Sequence, residues 1–441
     1  MPPSLREWLA DDHLAWFVID AVAEIDLGVF YAAYREDGWG RAAFDPQMMI
    51  ALLLYAYAIG ERSARRIERR CREDVAFRVM CANRVPDHVT IARFRARHEA
   101  ALAATFTEVL ALCARSGLLS VGVVALDGTL VHGNASKAAN RSYVAIREEV
   151  EQILGEARAT DEHEDAELGD RRGDELPAEL ADARSRRARL RRCKEQLERE
   201  QAAAEQARAE NLAWRAAWEQ EHGRKLGGRK PAAPDRAALE RKTINTTDPD
   251  TRPMKRAGGR SVQGFNAQVV ADEGQLIVAA HVTQAHNDSD QLEAMIADAG
   301  RELIGAGVAQ PIGTVLADGG YWNSTQISAL RASGTDVIVP AKDRKRTRPR
   351  RYAPPQGAEA ERIEAVLSTP EGKALYRRRQ QLVEPIFADV KFNRRADRFL
   401  RRGLSACNSE WRLLAATHNL LKLWRAGLAA NGAGMALATA A

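Results

Sequence analysis

Strand-like segments in this chain fall in two groups, and the long interval between them constrains the fold more than any other feature. The first group is a single apolar run, Val121-Gly122-Val123-Val124-Ala125-Leu126, which reads as a strand buried on both faces and ends at Asp127-Gly128-Thr129. The second group opens with Phe265–Ala271 and Gln275–Thr283, which the turn Asp272-Glu273-Gly274 makes an antiparallel hairpin. A helix from about Ser289 to Ala306 follows, then a strand Thr314–Ala317 ending in Asp318-Gly319-Gly320, a helix Asn323–Ala332 and a strand Asp336–Pro340. Strand, hairpin, helix, strand, helix, strand, helix is the order of an α/β domain, a mixed sheet flanked by helices.

The interval, roughly Val144 to Arg241, is rich in Ala, Glu, Arg and Gln. Leu176, Leu180, Ala183, Leu190, Leu197 and Ala204 fall on an alternating four-three register whose other positions are Arg187, Lys194 and Gln201. That is the seam of a weak coiled coil or a long helical hairpin. Gly223–Pro234 reads as a flexible basic linker back to the sheet. Two readings stand for the insertion: an arm for dimerisation or DNA contact, and a spacer without chemistry of its own.

Before the first strand, Leu9 to Cys113 is helical in pattern. Phe44-Asp45-Pro46 starts a helix with Asp45 as cap and Pro46 at the first position. Pro86–His98, a Pro-Asp turn opening a short helix with Arg93, Arg95, Arg97 and His98, resembles the second helix of a helix-turn-helix, and an amphipathic bundle helix is the other reading. The expected domains are therefore a helical N-terminal region 1–115, an α/β domain 116–145 with 243–428, a helical coiled-coil insertion 146–242 and a disordered tail 429–441.

With 441 residues and 45% hydrophobic composition the chain can fill two or three cores. The most apolar stretch, Met48–Gly60, is shorter than the roughly 20 residues of a bilayer span and reads as a buried helix of a cytoplasmic protein. Five scattered cysteines have no finger spacing, so a disulfide framework and a structural zinc site are not expected. The net charge of +5 says little, but its distribution says more. Acidic residues collect at Asp161–Asp174, and basic ones at Lys342–Arg351, Arg377–Arg379 and Lys391–Arg402, a region suited to a polyanion.

Chemistry rests on carboxylates. Asp127 and Asp318 each end an expected strand, where side chains face a crevice outside the sheet, and each is followed by glycine, which allows close approach. The third carboxylate is Glu384, on a helix containing Tyr376, Arg377, Arg379 and Lys391. Pro385 predicts that this helix starts or kinks there. Three carboxylates brought together call for a hard divalent cation, and two such ions suit in-line phosphoryl displacement.

These motifs match a family. Leu126-Asp127-Gly128-Thr129, Asn134-Ala135-Ser136, Asp248-Pro249-Asp250, Lys255, Gly264-Phe265-Asn266-Ala267-Gln268, Ala317-Asp318-Gly319-Gly320-Tyr321 and Val383-Glu384-Pro385-Ile386-Phe387 together resemble an insertion-sequence DDE transposase. Phe44-Asp45-Pro46 and Pro86–His98 extend the resemblance over nearly the whole chain. Tyr376, Arg379, Glu384 and Lys391 are similar to a Tyr-Arg-Glu-Lys signature, departing by one extra residue between arginine and glutamate, which leaves Arg377 as an alternative to Arg379. The resemblance implies an RNase H-like fold in which Asp127, Asp318 and Glu384 are catalytic and hold two Mg²⁺ ions, with Mn²⁺ substituting. It implies cleavage and strand transfer on double-stranded DNA by a nucleoid-associated homodimer with no membrane partner. Tyr376, Arg377, Arg379, Lys391, Arg93, Arg95 and Arg97 would contact DNA. A non-catalytic DNA-binding derivative of a transposase is the alternative.

Overall fold

The computed structural model describes residues 5–34, 43–152, 186–226, 230–231, 236–255, 261–341 and 357–431. Asp161–Asp174, the seam residues Leu176, Leu180 and Ala183, part of the Gly223–Pro234 linker, the basic run Lys342–Arg351 and the tail from residue 432 lie outside the described residues. The chain divides into two compact units, Met1–Gly133 with Met254–Ala441, and Asn134–Pro253.

In the first unit the N-terminal region is helical: Leu14–Ala23, Pro46–Ala58, Ala64–Glu73, Val75–Met80, His88–Arg97 and Glu99–Arg115. Asp45 caps Pro46–Ala58 by accepting from the Gln47 and Met48 N–H groups at 2.6 and 3.4 Å. From Met49 to Ala58 every residue of this helix is buried, so it lies at the centre of its layer rather than on a surface. The C-terminal helix Leu404–Asn431 packs against Pro46–Ala58 and Glu99–Arg115 and also against the sheet.

The strands are β1 (Val123–His132), β2 (Asn140–Ser142), β3 (Thr243–Asn245), β4 (Arg252–Lys255), β5 (Ser261–Ala271), β6 (Ile277–Thr283), β7 (Thr314–Ala317) and β8 (Asp336–Ile338). The main sheet runs β6–β5–β1–β7–β8, with β4 also on β5. Strands β6, β5 and β1 are antiparallel neighbours, and β7 and β8 continue parallel to β1. The expected hairpin forms, with the left-handed residue at Gln275 (φ 63°) rather than at a glycine.

One expectation is corrected. Strand β1 does not end at Asp127 but runs on to His132, because β5 pairs with it from Ala125 to His132. What ends there is β7, which covers β1 only from Val123 to Leu126. Asp127 is therefore the first residue of β1 with its β7-side edge open.

The outer edge of β6 is satisfied by side chains. Asn419 of the C-terminal helix accepts from Ile277 N–H and donates to Ile277 C=O, both at 2.8 Å, and Asn408 accepts from Val282 N–H at 3.0 Å. Buried edge groups that no neighbouring strand reaches thus still find partners.

The second unit holds the antiparallel pair β2–β3, a helix at residues 143–152 and the long helix Arg186–His222. Its small core contains Tyr143, Ile146, Val150, Leu190, Cys193, Leu197 and Ile244. Leu190 and Leu197 of the expected seam are buried there, while Ala204 is exposed, so the apolar part of the seam is covered over the first turns of the long helix. Among the described residues, no helix is long and apolar enough to cross a membrane.

Candidate active site

The register Leu126↔Ala317 sets the geometry. Asp318 follows Ala317 directly, so the end of β7 brings it beside Asp127. Asp318 caps the short turn Gly319–Tyr321 by accepting from Gly320 N–H at 2.8 Å. Asp127 accepts from Gly128 N–H at 2.8 Å and, on its other oxygen, from Arg379 Nη1 at 2.8 Å. Burial pushes the Asp127 carboxyl up to about 6, the charge of Asp318 adding to the rise and Arg379 opposing it.

Arg379 lies on the helix Pro370–Ala388, one turn after Tyr376, whose hydroxyl is raised by burial and partly relieved by the guanidinium. Arg377 is exposed on the same helix. Of the two arginines left open by the sequence, it is Arg379 that meets Asp127. Lys391, in the wider π-turn Asp389–Asn393, donates to the Thr129 hydroxyl and, at 3.0 Å, to Leu130 C=O. Along β1, then, Asp127 has Arg379 and Thr129 has Lys391.

Glu384 is placed differently from the expectation. The helix neither starts nor ends at Pro385 but passes through it, because Leu382, Val383 and Ile386 are buried around the proline and hold the turn together. Five residues beyond Arg379 at 3.6 per turn puts Glu384 about 140° around the helix. It is exposed, without a hydrogen bond or ion pair among the described residues. Among the described residues no three carboxylate, histidine or cysteine side chains are grouped closely enough to hold a metal ion.

Four polar residues beside the aspartates were not assigned roles from sequence. Asn266 and Gln268, two apart on β5 and so on one face, both donate to Asp288 Oδ1 at 2.7 Å. Gln268 Oε1 in turn accepts from the Tyr321 hydroxyl. Gly128 leaves room for this network, since a Cβ there would stand 2.3 Å from Gln268 Nε2 and displace that amide. Tyr321 is fully buried, and its hydroxyl is pushed well above the ordinary range by burial and by the charges of Asp288, Asp127 and Asp318. The signal in the sequence was Asn266 and Gln268 at alternate positions of the otherwise apolar segment Phe265–Ala271.

In the helical region Asp87 caps His88–Arg97 by accepting from Thr90 N–H at 2.6 Å. Arg93 is exposed, and Arg97 donates to Ala33 C=O and lies 5.3 Å over the Tyr34 ring. Arg95 departs from the expectation of a DNA-facing side chain: it is buried and donates to the Tyr57 hydroxyl at 3.1 Å and to Arg62 C=O at 2.8 Å. Its position on the helix face that packs against Pro46–Ala58 is the reason.

The residues at the end of β7 suit a hard divalent cation. Two adjacent carboxylates, one of them raised by burial, gain most from positive charge between them, and the available donors are oxygens. The Arg379 guanidinium supplies part of that charge, though its Nε is buried with no acceptor among the described residues, so its fit against Asp127 is incomplete.

Residues 3–97 match the family described as Transposase domain (DUF772), and residues 231–420 match the Transposase DDE domain. Comparison with the curated proteins and with the solved structures gives no match. The second matched segment contains Asp318, Glu384 and the strands β5–β8, and a DDE domain is RNase H-like, in accord with a sheet of three antiparallel strands extended by two parallel ones. With a transposase domain at each end of it, this chain belongs to the insertion-sequence DDE transposases.

Proposed function

We propose that the chain cuts DNA at the terminal inverted repeats of its own element and joins those ends to a target, with Asp127, Asp318 and Glu384 as the catalytic carboxylates. The observation that carries this reading is the pairing of Asp127 and Asp318 at the point where β7 stops and the edge of β1 opens. Asp127 and Asp318 would hold the divalent metal, Mg²⁺ or Mn²⁺ as two ions, with Glu384 completing the set. When bound, such ions stabilise the attacking and leaving oxygens of an in-line displacement.

The protein's own groups do the rest. In hydrolysis a water oxygen attacks phosphorus, the bond to the 3′ oxygen breaks, and that oxygen leaves as a 3′-hydroxyl. In strand transfer this hydroxyl attacks a target phosphodiester, releasing the target's own 3′ oxygen. Arg379 and Lys391, placed along β1, orient phosphates, Tyr376 lies against the DNA beside Arg379, and exposed Arg377 contacts the backbone further out. Arg93 and Arg97 contact terminal DNA from the helical region. Two copies, acting in the cytoplasm at the nucleoid, would hold the two ends of one element.

A second reading, a DNA-binding protein without catalysis, is favoured by one observation: Glu384 stands apart from the aspartates. One experiment decides between them. Asp127→Asn, Asp318→Asn and Glu384→Gln remove a negative charge at nearly constant shape. Each is expected to abolish metal-dependent nicking of labelled terminal DNA while binding on the same preparations persists. Full nicking by any of the three overturns the assignment.

A further inference from the structure

A second feature lies on the same unit, away from the carboxylates. The loop after the π-turn, Arg394–Arg401, is fixed against the helical region by a buried ion pair. Arg62 donates to Glu410 at 2.6 Å, to Arg395 C=O at 2.7 Å and to Arg398 C=O at 3.0 Å. Glu410 accepts in addition from Leu400 and Arg401 N–H, each at 3.1 Å. Both charged side chains are almost wholly buried. Gly60, at φ +82°, lets the loop approach so closely that a Cβ there would stand 3.0 Å from Arg394 Cα. Arg395 itself is held at φ 51°, a left-handed conformation costly for arginine.

This brace turns the Arg395 and Arg398 carbonyls inward and leaves the Arg395, Asp397 and Arg398 side chains exposed. Between the loop and the helix Ala64–Glu73 lies a cleft of about 400 Å³ lined by Arg66, Arg70, Arg395 and Arg398, with Glu61 and Asp397 as its acids. Glu61 is engaged with Arg66 at 3.3 Å, and Arg70 with Asp74 at 3.1 Å. Arg395 is exposed and has no ion-pair or hydrogen-bond partner for its side chain among the described residues. The loop also extends β1: His132 N–H donates to Asp397 C=O at 3.0 Å, and Phe399 N–H to His132 C=O at 2.8 Å. The cleft thus continues the line that begins with Asp127 and Arg379 and passes through Thr129 and Lys391.

We propose that this cleft binds the phosphodiester backbone of duplex DNA leading away from the cut. Four guanidinium groups present planar forks that match phosphate oxygens; among the described residues carboxylates engage two of them, Arg66 and Arg70, and Arg398 donates from one nitrogen to Gly133 C=O at 3.4 Å. A strain-bearing loop held by a buried pair is a rigid mount, which keeps those forks in place before the DNA arrives. The site rests on the DNA-processing reading above, but it binds through charge and needs no metal.

The test uses the full chain and a labelled duplex carrying the element's end, with EDTA present, over a range of salt. Arg66→Ala, Arg395→Ala and Arg398→Ala combined are expected to weaken binding about 10- to 100-fold at 0.1 M salt and to flatten log K against log salt by roughly 2 to 3. The matching triple lysine variant keeps the charge and is expected to recover the salt slope. In nicking assays the alanine variant raises KM and leaves kcat unchanged. Wild-type affinity and slope in the alanine variant overturn the proposal, as does a fall in kcat at saturating duplex. If the wild type fails to nick but the slope still falls in the variant, the cleft stands and the catalytic reading does not.

Discussion

Arg379 Nη1 and Asp127 Oδ2 stand 2.8 Å apart, joining the helix Pro370–Ala388 to the middle of β1. Both side chains are mostly buried, so removing one leaves the other poorly solvated. Arg379→Ala is expected to destabilise the fold by about 1.5–3 kcal/mol in urea denaturation, as for a hydrogen bond to a charged group. Asp127→Asn in the same chain should return most of that loss. Strict additivity of the two changes would show that the pair contributes nothing as a pair.

Asp288 holds two amide side chains of β5 through a single oxygen. As an acceptor-only carboxylate it dictates which way the Asn266 and Gln268 amides face, and the orientation of Gln268 lets it receive the Tyr321 hydroxyl. Tyr321 sits on the turn that begins at Asp318. Asp288→Ala and Tyr321→Phe are therefore expected to raise the Mn²⁺ concentration for half-maximal nicking several-fold, through misplacement of Asp318, with unchanged DNA affinity. An unaltered Mn²⁺ dependence in both would assign the network to stability alone.

His98 is buried against Phe30, Tyr34 and Phe94, with ring centroids 5.3, 5.9 and 4.6 Å away. Among the described residues its Nε2 has no partner, and burial, helped by the charge of Arg97, holds its pKa below 6.5. In the unfolded chain the ring takes a proton near pH 6.5; in the folded chain it resists. Stability from this site is thus complete above about pH 7 and falls as pH drops through about 6.5 toward the lower folded value. His98→Phe should flatten the dependence between pH 7 and 5 in thermal melts, and a slope equal to wild type would place the acid loss elsewhere.

Asn419 serves both backbone groups of Ile277 from a fully buried position. Asn419→Ala removes the amide without adding bulk and strands an N–H and a C=O, at about 1–3 kcal/mol for each unsatisfied group. A loss under about 1 kcal/mol would mean that water reaches the β6 edge.

What the sequence disclosed, and what it concealed, follows one division. Apolar runs located β1, β5, β6, β7 and β8 and their connecting helices, since those patterns are local. The length of β1 past Asp127 was concealed because it depends on pairing with β5 far along the chain. The continuity of the helix through Pro385 was concealed because burial of Val383 and Ile386 outweighs the bond that proline cannot make. Asp127 and Asp318 stand out in the sequence because each follows an apolar run and precedes a glycine, although only Asp318 lies at the end of its strand. Arg95 was misplaced because charge alone does not say which face of a helix turns inward, and Asp288 was passed over because its partners lie on another strand.

The insertion between β1 and β5 also bears on how the sheet assembles. Residues paired across these strands are roughly 130–145 apart in sequence, a costly loop to close. Within that loop, Asn140–Ser142 pairs with Thr243–Asn245. Once this clasp has formed, only about 30 residues of loop remain between the end of β1 and its partner, and the closure entropy falls by roughly 1 kcal/mol. The strand bearing Asp127 would then wait, on the growing chain, for the insertion to fold first, so the order of synthesis and the order of assembly coincide.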